Sequence, residues 1–141
     1  MFDITDDYLA AHEPLKAALE TVPNIKQVNY ITDLADLGES SQRTPCLHFL
    51  YFGDQLPDTA NAGNLMQIKQ TWLVILVVRQ GRKENAGTHL VNTIRALAGK
   101  LAGDTGPWLR VNSPIKPRFT KGFAYYPLAF TCQMRMKGAH L

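Results

Sequence analysis

One stretch limits the architecture more than any other: Met66–Gln80, which reads as a single long strand. Its first half alternates, with Met66, Ile68 and Trp72 set against Gln67, Lys69 and Thr71. From Trp72 to Val78 every residue is apolar, and Val74, Ile75, Val77 and Val78 are β-branched, which favours extended chain over helix. A strand that passes from one-sided to two-sided burial needs a second covering surface, either a helix or another subunit. The run is far short of the about 20 residues that span a bilayer, so no membrane partner is expected.

The other segments arrange themselves around this strand. Tyr8–Val22 reads as a helix with Tyr8, Leu15, Ala18, Leu19 and Val22 near one face and Thr5 or Asp6 as its cap. Pro14 means that this helix is either kinked there or begins near His12. Ile25–Ile31 is a weak strand and Asp33–Leu37 a short helical turn. Cys46–Phe52, after Pro45, is a strong strand whose nearly continuous apolar run predicts burial on both faces. Gly53–Asn64 is loop by composition.

Beyond the polar turn Arg79–Asn85, the residues Leu90, Ile94, Leu97, Ala98 and Leu101 recur at helical spacing. Asn85 is the candidate cap of that helix, Gly103 its stop, and Gly99 a point of close backbone packing inside it. Gly103–Gly122 is a long basic loop, rich in Pro and Gly, with a short strand at Trp108–Val111. Phe123–Met136 is the last strand, with Ala124, Tyr126, Leu128, Phe130, Cys132 and Met134 on one face. Pro127 cannot donate to a ladder, which puts that end of the strand on an edge or at a bulge. The order α-β-β-β-α-β predicts an α+β fold, a mainly antiparallel sheet with two helices packed on one face. One domain spanning residues 1–141 is the economical division, since a chain of this size buries roughly 70% of its unfolded surface.

Charge is dealt out unevenly. Residues 1–60 hold ten acidic residues against three basic ones, whereas residues 61–141 hold twelve basic residues against Glu84 and Asp104. Folding can leave the two signs on different surfaces, which lets copies attract one another head to tail, or interleave them so that they cancel within one subunit. The overall charge of +3 is modest for a dedicated nucleic-acid binder. Met1–Leu9 carries acids where a secretory leader has a basic stretch, so cytosolic synthesis is expected.

Little points to catalysis. Cys46 and His48 share a strand face and, with Cys132, offer three metal-ligating side chains, but a structural zinc site wants four and no fourth is evident. Buried core residues are the plainer reading, and no metal or cofactor is expected. His89 lies off the apolar stripe of its helix and reads as a solvated surface residue. The glycines form neither a phosphate loop nor a dinucleotide fingerprint, and no serine sits in a nucleophile elbow. The basic loop is the better candidate. Arg110, Lys116, Arg118 and Lys121 surround Trp108 and Phe119, giving either a solvated loop or a contact surface for nucleic acid or the acidic face of another copy. Asp54 and Asp58 in the other long loop are its candidate acidic counterparts. Arg79, Arg82 and Lys83 in the polar turn complete the candidate interface.

This layout resembles that of the tail terminator, or tail completion, proteins of long-tailed bacteriophages and prophages. The likeness covers nearly the whole chain. It is carried by the N-terminal helix, the strand after Pro45, the long strand, the amphipathic helix, the GxxGPWL-like segment Gly103–Leu109 and the final strand ending FAYYPLAFTCQ. The resemblance implies a non-enzymatic protein that forms a homohexameric ring on the head-proximal end of the tail. Such a ring ends tube polymerisation and prepares head–tail joining. It also implies partners: sister copies, the tail tube protein and head–tail connector proteins, with a passing contact with DNA in the lumen. The location implied is the virion, after assembly in the host cytoplasm. Another tube or neck component, and a small basic nucleic-acid-binding domain, are the alternatives.

Overall fold

The chain is built on two 15-residue strands lying side by side. The computed structural model describes residues 2–38, 43–56, 59–60, 63–81, 84–100, 107–120 and 122–139. In chain order the elements are β1 (Phe2–Ile4), α1 (His12–Leu19), β2 (Gln27–Tyr30), a 3-10 turn (Leu34–Gly38) and β3 (Cys46–Gln55). There follow β4 (Thr59–Ala60), β5 (Leu65–Arg79), α2 (Ala86–Leu97), β6 (Leu109–Val111), β7 (Arg118–Thr120) and β8 (Phe123–Lys137). One mixed sheet in the order β1-β8-β5-β3-β2 contains them, with β6 and β7 also on β8 and β4 on β5. The central ladders β3–β5 and β5–β8 are antiparallel, in keeping with the mainly antiparallel sheet expected. The outer pairs β1–β8 and β2–β3 are parallel.

Both helices pack on one face. Leu15, Ala18 and Leu19 of α1 and Leu97 of α2 join Phe49, Trp72, Val74, Leu76, Leu128 and Phe130 in the larger core. The opposite face answers the demand that β5 makes for a second cover. There Leu73, Ile75 and Val77 lie with Cys46, Tyr125 and Ala129 beneath Leu37 of the 3-10 turn, with Val111 and Ile115 packed against them. The Tyr125 hydroxyl donates to the Leu37 carbonyl at 2.9 Å and pins that turn across the sheet.

Local chemistry fixes where the helices start and stop. α1 begins at His12, which places Pro14 in the first turn, where a missing N–H leaves no helical bond unmade. Its N-terminal flank is Ala11, with no side-chain cap, so neither Thr5 nor Asp6 does that job. Stacking of His12 on Tyr30, and of Tyr30 on Phe49, seats the start of α1 on the sheet instead. α2 begins as expected: the Asn85 side chain accepts the Thr88 N–H at 3.1 Å. It ends earlier than the periodicity implies, because Ala98 is extended and Gly99 takes φ +78°, a left-handed conformation that glycine adopts without strain. Gly99 therefore terminates the helix and does not lie within it. Leu101 and Gly103 lie outside the described residues.

Two other expectations change, and that for Pro127 is met only locally. Pro127 lies inside β8, which strands flank on both sides. The outer side of β8 is covered in pieces, by β7 at Phe123–Tyr125, β6 at Ala129–Thr131 and β1 at Met134–Met136. Pro127 falls in the gap between the first two pieces, where a missing N–H is tolerated. Strand β3 runs on to Gln55 through a bulge at Phe52, so the expected loop starts later. His89 is buried, on a stripe with Thr93 and Leu97, and is not a solvated residue.

Candidate functional site

The sheet has two lateral margins of unlike charge. On one side β6, β7 and the segment between them carry Arg110, Lys116 and Arg118, all exposed, and residues 107–120 contain no carboxylate. The Arg118 guanidinium leans over the Tyr125 ring, 5.9 Å from its centre. Phe119 is 60% exposed beside Tyr126, a large apolar side chain set among these cations.

On the other side four of the described acids lie over β2 and β3, while Asp3 stands on β1, at the basic margin. Asp54 stands on β3, Glu13 is in the first turn of α1 beside the stacked His12, Asp7 is close enough to add to the rise that burial gives the Tyr30 phenol, and Asp36 lies near His48. Lys26 and Arg43 adjoin the same strands and dilute this margin. Among the described residues one ion pair forms, between Arg135 Nε and Asp3 at 2.8 Å. It joins β1 to β8 and holds the Asp3 carboxyl below its usual range, through its hydrogen bond to Arg135. Among the described residues, direct pairing within the subunit thus leaves most of these charges unmatched.

Asp54 is held by two side-chain hydrogen bonds. Its Oδ2 accepts the hydroxyls of Tyr8 and Tyr51, the latter at 3.1 Å. Desolvation of the ring and the adjoining carboxylate raise both phenols, so they remain donors across the physiological range. The bulged end of β3 also forms one wall of an open groove of about 510 Å³, lined by Phe52, Asp54, Lys69, Thr71, Asn112 and Pro114. Asp54 and the start of the basic segment therefore border one cleft.

Trp108 does not belong to any contact surface. It is fully buried in the larger core, and its backbone bridges Gly99 and Lys100 at the end of α2. A planar, largely apolar ring of this size gains more from core packing than from exposure, whatever the charge of its sequence neighbours. Arg79 is half-buried, its guanidinium 4.8 Å from the centre of the Phe123 ring. Its backbone N–H donates to Glu84, whose other carboxylate oxygen accepts the Thr44 hydroxyl, so Glu84 closes the turn. Asp58, Arg82, Lys83 and Lys121 lie outside the described residues.

The register adds cations that sequence reading did not single out. Lys69 of β5 and Arg135 and Lys137 of β8 share the face opposite the helices, at the end of the sheet that the 3-10 turn does not cover. Only the β5–β8 register reveals that they are neighbours. Cys46 and His48 behave as core groups: their Sγ and Nε2 atoms are 3.6 Å apart, burial pushes the thiol up to about 12, and burial lowers the imidazole. Among the described residues no three His, Cys, Asp or Glu side chains gather as a metal site would require.

The fold has a solved counterpart in a chain described as "Virion of native gene transfer agent (GTA) particle". The likeness covers 87% of this chain and 90% of that one, with a TM-score of 0.50 and 10% identity. No curated protein is matched by the sequence. The model of the family described as "Phage tail terminator protein" matches residues 4–140, nearly the full length, and the chain belongs to that family.

Proposed function

We propose that this protein is a structural building block of a phage-type tail. In this reading copies join into a homohexameric ring on the head-proximal end of the tail tube. The ring ends tube polymerisation and offers a surface to the head–tail connector. The protein is a virion component, assembled in the host cytoplasm as one domain of residues 1–141, and it catalyses no reaction. Membership of the family supports the tail role; the ring and its hexameric size are carried over from the family resemblance.

The observation that carries self-association is the unlike charge of the two sheet margins. A surface that is positive on one edge and acidic on the other favours a head-to-tail contact, and such contacts repeat until a ring closes. Asp54 supplies the negative side and Arg110, Lys116 and Arg118 the positive side; the proposed interface further includes Arg79 and, outside the described residues, Asp58, Arg82, Lys83 and Lys121. These charges set register and encounter rate more than affinity. The reading includes a passing contact with DNA in the ring's opening, for which Lys69 and Lys137 offer positive charge.

Deletion tests the role. Particles assembled without this protein are expected to carry overlong tubes or tails detached from heads, and complementation restores both. Tails of normal length and attachment overturn the assignment. Solution mass across a salt series tests the charge-assisted step: a closed multi-subunit species should loosen at high ionic strength.

A further inference from the structure

At the height of Trp72 no strand lies beyond β3 on one side or β6 on the other among the described residues. β2 pairs with Cys46–Phe49 only, so from Leu50 to Gln55 the outer edge of β3 has no strand beside it among the described residues. Across the sheet β6 pairs with β8 through Leu109–Val111, and among the described residues no backbone hydrogen bond leaves its other edge. Open edges present rows of unpaired N–H and C=O groups and are templates for pairing with another chain.

The two edges are complementary in direction and in charge. Successive strands β3, β5, β8 and β6 alternate in direction, so β6 of one copy laid beside β3 of the next forms an antiparallel pair. Arg110 stands opposite Phe130, which stands opposite Trp72, while Asp54 stands opposite Gln70. Arg110 and Asp54 therefore share the helix-bearing face, one same-face step apart along the strands. Both are exposed. Asp54 is already oriented, because both phenolic hydroxyls occupy Oδ2 and no donor among the described residues reaches Oδ1.

We propose that a second copy of this chain docks at these edges. β6 of one copy pairs antiparallel with the 50–55 edge of β3 in the next, and Arg110 of one meets Oδ1 of Asp54 of the other. Diagonal cross-strand neighbours at this spacing are within reach of an arginine. The contact uses a different edge on each copy, so every added copy leaves one open edge of each kind until closure. It rests on the self-association proposed above and names the atoms that would carry it.

Charge exchange is the test, read as solution mass against protein concentration with folding checked by circular dichroism. Asp54→Arg alone and Arg110→Asp alone should each raise the concentration needed for assembly about tenfold or more. The double variant, with the pair reversed, should recover most of the loss. Amide hydrogen exchange on the unaltered protein gives a second readout, in which residues 109–111 and 52–55 gain protection only in the assembled form. Assembly unchanged in both single variants, or equal exchange at these amides in free and assembled protein, overturns the edge pairing and leaves the tail role standing. A natural-sequence protein that stays monomeric at all concentrations and on tail tubes overturns both.

Discussion

Gln70 and Trp72, two residues apart on one face of β5, are joined side chain to side chain: the indole N–H donates to the amide oxygen at 3.1 Å. The Gln70 amide nitrogen donates in turn to the Tyr8 carbonyl at 2.8 Å. A wholly buried glutamine thus ties the segment leading into α1 to the centre of the sheet. Gln70→Leu strands both partners, and leaving a buried polar group unpaired costs about 1–3 kcal/mol. The expected result is a lower denaturation midpoint with an altered Trp72 fluorescence environment; an unchanged midpoint would show that the bridge contributes nothing.

Trp108 separates a core role from a surface one. Trp108→Ala should destabilise the fold by about 3–5 kcal/mol, the usual loss for a buried aromatic. Arg110→Ala, two residues further on and exposed, should change stability by less than about 0.5 kcal/mol. Chemical denaturation of the two variants side by side decides the matter.

His48 makes stability depend on mild acid. Burial lowers its pKa below the ordinary 6.5, with Asp36 opposing the shift. The unfolded chain therefore takes up a proton near pH 6.5 while the folded site resists it. Stability is fullest above that pH and declines as pH falls from about 6.5 towards the lower folded value. His48→Leu should flatten this part of the profile, measured as the denaturant midpoint between pH 7.5 and 5.5.

The ends of α2 can be tested separately. Asn85→Ala removes the acceptor for the Thr88 N–H and should cost about 1 kcal/mol. Gly99→Ala forces a side chain into a left-handed conformation and should cost about 1–2 kcal/mol, with no clash contributing, because nothing lies within 4 Å of the added carbon. Thermal melts of both variants provide the check.

The long elements were legible because their patterns outlast any single residue. β5 and β8 match their sequence boundaries to within a residue, and the face of β8 from Ala124 to Met134 is the buried one. Short elements carry no period, so β1 and β7, three residues each, could not be read. Basic neighbours in sequence say nothing of where the Trp108 ring points. At His89 the polar stripe partner Thr93 hides the helical repeat 89, 93, 97 from a hydrophobic count. The open edges of β3 and β6 depend on which strand lies beside which. That follows from tertiary pairing alone, as does the cationic patch at Lys69, Arg135 and Lys137.

The paired run of β5 and β8 has a mechanical meaning. Fifteen residues of extended chain reach about 50 Å, and the two strands are in register from Leu65 opposite Lys137 to Arg79 opposite Phe123. A pull that draws the two strands past each other along their length meets all the crosslinks of the ladder in parallel and not one after another, so tension is shared and no single link opens first. A subunit made in this way resists stretching between its two ends much as a lap joint does.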